Sequence, residues 1–400
     1  MARCIKIQVK HSFTPIRVLI AVFIIINVQF GNAQSTKNSP IINMAFTSDV
    51  HYGLTKSQFR GDTGVTSHSV NAAMIAQINA LPSLILPNDK GVGAGSAVGG
   101  IDDVVITGDI ANRMEDGVQT AAASWKQFSD DYLQKLNLKG HNGQPAQLLL
   151  VPGNHDVSNA IGIGKLMKPL TDPTSMVGIY NLMLKPAPPV TNKSFDYAKN
   201  KVNYSRSIGG VHMVFITIWP DSAERVWLQK DLDTVAKTTP VIIFTHDPPT
   251  ADPKHFTNPL PPYNMTAEND FENLLSEHYK EGTTAGGKKS TTDTEQRGFV
   301  KFLKAHSNIK AYFHGHNNNC EFYTYTGPNN DVNLSVFRSD SPMKGKYSAK
   351  DEKLLSFQLI SLDPATQQLT VRECLWNTEP TNKTQKVVFG KVATVSLRMN

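Results

Sequence analysis

The stretch IINMAFTSD, Ile41 to Asp49, is a run of apolar residues that turns polar abruptly at its C-terminal end. It reads as a buried strand whose last residues emerge from the core. The same design recurs in IDDVVITGD (Ile101 to Asp109), AQLLLVPGNHD (Ala146 to Asp156), VHMVFITIW (Val211 to Trp219), PVIIFTHD (Pro240 to Asp247) and IKAYFHGH (Ile309 to His316). Between these runs, apolar spacing predicts helices over 71–81, 120–136, 222–236 and 293–306. Strands alternating with helices make a layered α/β domain, and continuously apolar strands require both faces of their sheet to be covered. Polar residues at the C-termini of such strands collect in one crevice. From Val332 the helical pattern stops and short strands follow (LLSFQLISL, QLTVRECLW, KVVFGKVATVSL), which predicts a second sheet packed on the first.

The N-terminus needs a separate reading. Arg3, Lys6, Lys10 and Arg17 precede the apolar run VLIAVFIIINVQF, which stops at Gly31-Asn32-Ala33. This is the pattern of a secretory signal peptide over residues 1–33, cut before Gln34, and it predicts a secreted or periplasmic protein. The run is 13 residues long, too short to span a bilayer as a helix, so no membrane association is expected after cleavage. Removing the leader takes away those four cations and no acid, so the formal charge falls from +6 to +2. With no basic block left, nucleic acid is not expected as the main partner. Of the cysteines, Cys320 and Cys374 remain in the body; they allow one disulfide, the alternative being two free buried thiols.

The remaining residues, 41–400, read as a single domain in which three segments look like insertions. GVGAGSAVGG (Gly91 to Gly100) lacks the strand-turn-helix context of a nucleotide-binding fingerprint and reads as a flexible linker. Residues 158–200, which include the possible helix MVGIYNLML, and residues 248–290 each follow a polar strand end and are candidate walls of a substrate pocket.

Five strand ends carry the chemistry: Asp49 and His51 in SDVHYG, Asp109 in GDIANR, Asn154, His155 and Asp156 in GNHD, His246 in FTHD, and the histidines of HGHNNN. A single His or Asp at a strand end is usually a cap or a hydrogen-bonded loop residue. Five at the C-termini of strands in one α/β pattern can converge. Carboxylates with imidazoles suit Zn, Mn or Fe, and Asp-x-His places two ligands on one side of an extended chain. A lone Asp at the second end is suited to bridge two cations, and a neutral Asn adds an oxygen without further charge.

The ordered series Asp-x-His, Gly-Asp, Gly-Asn-His-Asp, His, Gly-His-x-His resembles the signature of calcineurin-like metallophosphoesterases, over residues 41–319. The resemblance implies a four-layer α/β/β/α sandwich of two packed mixed sheets and a centre of two divalent metal ions. It implies that Asp49 and His51 hold the first metal, Asp109 bridges, and Asn154, His246 and His316 hold the second. His155 would assist the leaving group, with Asp156 orienting it, while a metal-bridging hydroxide attacks in line. The implied activity is hydrolysis of a phosphate ester in a small phosphorylated substrate. The alternatives are a phosphodiesterase rather than a phosphomonoesterase, or a non-catalytic metal- or phosphate-binding relative.

The last block departs from the pattern. Aligned on Gly315 and His316, the family's final His falls on Asn318; read literally, His-x-His would be His314 and His316. The first alignment is preferred because His314 lies inside the apolar strand, where a packed histidine accounts for it. Asn318 is then a weaker ligand of the first metal. Arg113, Asn112, Tyr52 and Lys344 are lesser candidates for contact with phosphate, each with an ordinary surface reading.

Overall fold

In the computed structural model the described residues are 40–111, 119–157, 173–196, 199–250, 293–382 and 384–399. The signal-peptide expectation, Asn112 and Arg113, and most of the 248–290 segment lie outside them.

Two six-stranded sheets form the centre. The first runs β14(Val388–Ser396)-β13(Gln368–Leu375)-β12(Ser356–Asp363)-β1(Ile42–Thr47)-β4(Asp103–Thr107)-β5(Gln147–Val151), and the second β10(Glu321–Tyr325)-β11(Leu334–Arg338)-β9(Ile309–His314)-β8(Val241–Phe244)-β7(Val211–Phe215)-β6(Tyr204–Ile208). The middle strands are parallel: β1 with β4 and β4 with β5 in one sheet, β7 to β8, β9 and β11 in the other. Antiparallel strands flank them. A short hairpin, β2(Thr55–Phe59) and β3(Asp62–Thr66), follows the first strand end.

All six expected apolar runs are strands, and the parallel ones are fully buried along their central residues, as sheets covered on both faces must be. A ladder of rings crosses the second sheet at one level: Tyr204, Phe215, Phe244, Phe313 and Phe337 sit opposite one another on β6, β7, β8, β9 and β11, with successive centroids 4.7, 5.0, 4.8 and 4.9 Å apart. Phe46 of β1 meets Phe244 and Phe313 edge-on from the facing sheet, at 6.1 and 5.4 Å. Each such pair adds about 0.5–1.5 kcal/mol beyond its buried area. The ladder therefore fixes the two sheets against each other just below the strand ends that carry His246 and Asp49.

Helices cover the outer faces. On the first sheet α1(Ser67–Ala80) is capped by Thr66 and turns Val70, Met74 and Ile78 inward, Met74 touching Thr47. α2(Ala121–Phe128), capped by Thr120, continues as a π-helical turn over Ser129–Leu133, so the helix expected over 120–136 changes its winding where the aromatic rings of Phe128 and Tyr132 stack. The four-residue α3(Asn154–Val157) sits on the third strand end, and α4(Thr174–Leu184) packs on β5 through Met183. On the second sheet α5(Ser222–Leu232), capped by Asp221, and α6(Asp293–Ala305) complete the four-layer α/β/β/α sandwich of two packed mixed sheets.

Some expectations are corrected. The C-terminal strands do not build the second sheet; β12, β13 and β14 extend the first, and the second consists of β6 to β11. β1 has β4 on one side only, and β12 supplies the partner for its other row of amides, which buried backbone requires. The Gly91–Gly100 segment is docked rather than a free linker: Val92 N donates to Thr370 Oγ1, and its carbonyl accepts from Arg372 Nη2. The part of the 158–200 segment that includes α4 is a core helix, with Met176, Ile179 and Met183 buried. Cys320 and Cys374 are free thiols. Among the described residues no helix is long and apolar enough to cross a membrane.

Candidate metal centre

The C-termini of β1, β4, β5, β8 and β9 open toward one another, and backbone hydrogen bonds continue past the strands to stitch the loops together. Asp49 N donates to Gly108 O (3.0 Å), His51 N to Asp109 O (2.9 Å) and Gly315 N to His246 O (3.0 Å). Across the sheets His316 N donates to Asp49 Oδ2 (2.9 Å), and within the first sheet His155 N donates to Asp109 Oδ1 (2.8 Å). Asn71 of α1 holds the carbonyl of Val50, between the two residues of the Asp-x-His pair.

The glycines of the motifs are what allow this approach. A Cβ on Gly315 would overlap Ser48 Oγ and Asp49 Oδ2, and one on Gly153 would overlap Asp109 while standing 2.8 Å from His246 Cε1. The local backbone is also strained. Asp49, His51, Asp109, His316 and Asn318 all have φ between 43° and 65°, a region that costs a non-glycine residue of order 1 kcal/mol and persists only where the surroundings enforce it. All five are candidate ligands, so the strain lies where the side chains must be aimed.

Three overlapping groups of ligand atoms each lie within 4.8 Å of one another: His51, Asp109 and His155; Asp49, Asp109 and His246; His246, Asp247 and His316. Asp109 is shared by two of them and His246 by two. His51 Nε2 is 3.5 Å from Asp109 Oδ2 and 3.8 Å from Asp49 Oδ1, and His246 Nε2 is 3.6 Å from Asp109 Oδ1. These separations are too long for hydrogen bonds and slightly beyond the roughly 3–3.5 Å edge between two ligands that share a cation at about 2.1 Å.

The donor set fits divalent cations. His246 Nδ1 is 2.7 Å from the carbonyl of Thr107, which can only accept, so Nδ1 carries the proton and Nε2 presents its lone pair. That Nε2 faces Asn154 Oδ1 at 3.1 Å, two lone-pair donors turned toward the same space. Asp49 Oδ1 and Asn318 Oδ1 are buried, and neither has a hydrogen-bond partner among the described residues. Burial pushes the Asp49 carboxyl up to about 6, against the opposing pull of His246. Burial acts on Asp109 the same way, but His155, His246, His51 and Lys344 together hold it well below the usual carboxylate range. Two dehydrated carboxylates side by side need positive charge, and cations at this position would provide it.

The structure thus brings together Asp49, His51, Asp109, Asn154, His155, His246 and His316. Asn318 lies in the same turn as His316, its amide nitrogen donating to the His316 carbonyl at 2.8 Å. His314 points elsewhere: it is buried, with Nε2 2.9 Å from the Tyr323 hydroxyl and Nδ1 2.9 Å from the Gly315 carbonyl. Asp247, next to His246, was not singled out by sequence reasoning; its Oδ1 is 3.8 Å from His316 Nδ1. The polar strand end FTHD was its available signal. Tyr52 is buried and its hydroxyl donates to Asp131 Oδ2 at 2.8 Å.

His155 stands over Asp109, Nε2 to Oδ2 3.9 Å, with its ring edge-on to His51 at 4.8 Å. Lys344 Nζ is 3.3 Å from the same Nε2. Asp156 does different work from the orienting role read in the sequence. Its carboxylate accepts from the backbone amides of Gly153 (2.9 Å), Ala111 (2.9 Å) and Ile110 (3.1 Å) and from the Ser175 hydroxyl (2.7 Å). It braces the loops that follow Asp109 and precede Asn154, and Ser175 ties α4 to that brace.

A four-layer sandwich whose strand ends gather Asp, His and Asn donors around a shared carboxylate defines a metal-binding α/β protein. The chain belongs to the calcineurin-like phosphoesterase family, whose profile matches residues 42–320. Comparison with curated proteins gives no match. Among solved structures it is similar to a predicted phosphoesterase from Streptococcus pneumoniae (8% identity, 89% of this chain and 98% of that one, TM-score 0.29). It is also similar to a Vps29 variant from Entamoeba histolytica (9%, 90% and 100%, TM-score 0.30). A third is phosphopantetheinyl hydrolase from Mycobacterium tuberculosis (11%, 75% and 90%, TM-score 0.31).

Proposed function

We propose that this protein is a secreted or periplasmic metal-dependent phosphoesterase that hydrolyses a phosphate ester of a small phosphorylated compound. The observation that carries the reading is the convergence of Asp49, His51, Asp109 and His246 within 4.8 Å groups that share Asp109, with His155 poised beside that carboxylate. Asp49, His51 and Asp109 would hold one cation, and Asp109, Asn154, His246 and His316 a second; Zn, Mn or Fe suits the mixture of carboxylate and imidazole. When bound, such cations supply Lewis acidity toward phosphoryl oxygens and activate water for in-line displacement.

The chain's own residues do the rest. Thr107 O fixes the His246 tautomer so that its Nε2 aims inward. His155 Nε2, 3.9 Å from Asp109 Oδ2, would hold the proton that the leaving-group oxygen takes as the P–O bond breaks. Asp156, by fastening the amides of residues 110, 111 and 153, keeps Asp109 and Asn154 in register.

The test is hydrolysis of p-nitrophenyl phosphate and its bis ester by protein loaded with Mn or Zn. A preference for the first supports a monoesterase and for the second a diesterase. His155→Ala is expected to lower kcat by about 10²–10⁴ with metal content unchanged. No hydrolysis of either ester would leave the non-catalytic binding reading, which the Asn318 change at the last block favours. Secretion is tested by the mass of the mature chain, expected to begin at Gln34.

A further inference from the structure

We infer that the cavity at the end of the sandwich opposite the metal centre is a binding site for a small primary amine, whose ammonium group is received by Asp103 on the inner face of the first sheet. Asp103 and Asp109 lie roughly 20 Å apart along β4 and the turn after it, so an amine held here is not the ester cleaved there. The inference is independent of the phosphoesterase reading.

Strand register places the carboxylate. Phe46 faces the second sheet, edge-on to Phe244 and Phe313, so Met44, two residues earlier on β1, points the same way. Met44 pairs with Asp103 on β4, and Asp103 with Gln147 on β5. All three side chains therefore project between the sheets, in a row that a two-sheet core fills with apolar residues; Val105 and Leu149 fill the next row in that way. Asp103 is 5% exposed, and among the described residues its side chain has neither a hydrogen bond nor an ion pair. A buried carboxylate is costly unless a partner reaches it, and the oxygens of this one face a cavity of about 370 Å³, within the range of small-molecule sites.

The surroundings select the ligand. Asp102 is already committed: Oδ1 accepts from His141 N (3.0 Å) and lies 2.5 Å from His141 Nδ1, and Oδ2 accepts from Asn43 N (3.0 Å). Gly140 lets this turn close on Asp102, since a Cβ there would stand 2.5 Å from Asp102 Oδ1. At the rim Arg206 gives Nη1 to the Ser205 carbonyl (2.8 Å) and lies over the Tyr204 ring, and it forms no ion pair with Asp103. The like charge of Asp102 adds to burial in pushing the Asp103 carboxyl up to about 7, so a cation is the partner it lacks. A divalent metal would find a single uncommitted carboxylate, where calcium takes about six to eight oxygens. A primary ammonium carries one charge and three donors, which Asp103 and the amide oxygen of Gln147 match, and its carbon chain meets the apolar walls of Ile42, Leu149 and Ile208.

The test follows the methyl resonances of isotope-labelled isoleucines while n-butylamine is titrated into the protein at neutral pH. Ile42 and Ile208 should shift saturably, with a dissociation constant of order 1 mM, while Ile218, whose carbonyl accepts the His246 amide, should stay in place. Asp103→Asn keeps the shape of the side chain and should weaken binding about 10- to 100-fold. Gln147→Lys, at an exposed residue, sets a covalent ammonium beside Asp103 and should weaken it as much. Butyltrimethylammonium, which has no N–H, should bind at least about tenfold more weakly than butylamine. Absence of a saturable shift at Ile42 and Ile208, wild-type affinity in either variant, equal affinity for butyltrimethylammonium, or a stronger response of the same methyls to calcium chloride would overturn the inference.

Discussion

Asp103 opens β4, at the end of the strand opposite the metal centre. Its side chain is 5% exposed and lines a cavity of about 370 Å³ with Asp102, His141, Arg206 and Gln147. Burial, with the neighbouring charge of Asp102 adding to it, pushes its carboxyl from 3.8 up to about 7. The unfolded chain releases this proton near 3.8 and the folded chain keeps it to about 7, so between those values the native state binds one more proton than the unfolded state. Stability must then fall as pH rises, by about 1.4 kcal/mol per unit from this group, reaching about 4 kcal/mol above pH 7. Below pH 4 the penalty is absent.

Asp103→Asn removes the titration while keeping the shape. It is expected to be about 3–4 kcal/mol more stable than wild type at pH 8 and equal to it near pH 4. Urea unfolding over a pH series measures this directly. Asp49, Asp156, Asp221 and Asp340 are also pushed up, mainly by burial, so the wild-type curve holds several contributions; the difference between the two proteins isolates Asp103. Curves that stay parallel across the range would refute the reasoning. Because Asp103 and Asp109 stand at opposite ends of one strand, ester hydrolysis should be unchanged in the variant.

Other outcomes follow from the site. Gly315→Ala should lose bound metal and about 3 kcal/mol or more of stability, because its Cβ would displace Ser48 and Asp49; metal analysis and urea unfolding that match wild type would contradict the close approach. Asn318→His should tighten one cation by about tenfold or more, read in a chelator competition, and an unchanged affinity would mean that this turn does not face the cation. Cys320 and Cys374, being free, should both react with a thiol reagent after denaturation without reductant.

What the sequence made legible was whatever a strand states locally. Each of β1, β4, β5, β8 and β9 shows a continuous apolar run, and its polar terminus names a donor, so the layered α/β class and the gathering of Asp49, Asp109, Asn154, His246 and His316 could be read without coordinates. Partner choice was not legible, because apolar alternation gives no address: β12 and β9 read alike, yet one pairs with β1 and the other with β8. The same limit hid Asp156, whose place after His155 suggested an imidazole partner while its carboxylate collects amides from another strand end.

His314 and Asn318 show where local reading does decide. A histidine inside an apolar run must find a partner in the core, and Tyr323 on β10, joined through β11 to the same sheet, provides it. An asparagine past the run, with φ of 53° and an orphaned oxygen, has no core role to explain its strain. The backbone carbonyl of that asparagine receives the Lys346 amide, and the carbonyl of Asp49 receives Ser341. The substituted corner is thus tied, through main-chain atoms that no side-chain motif records, to the loop that delivers an ammonium to His155. As a ligand, an amide oxygen at position 318 would be harder and weaker than an imidazole.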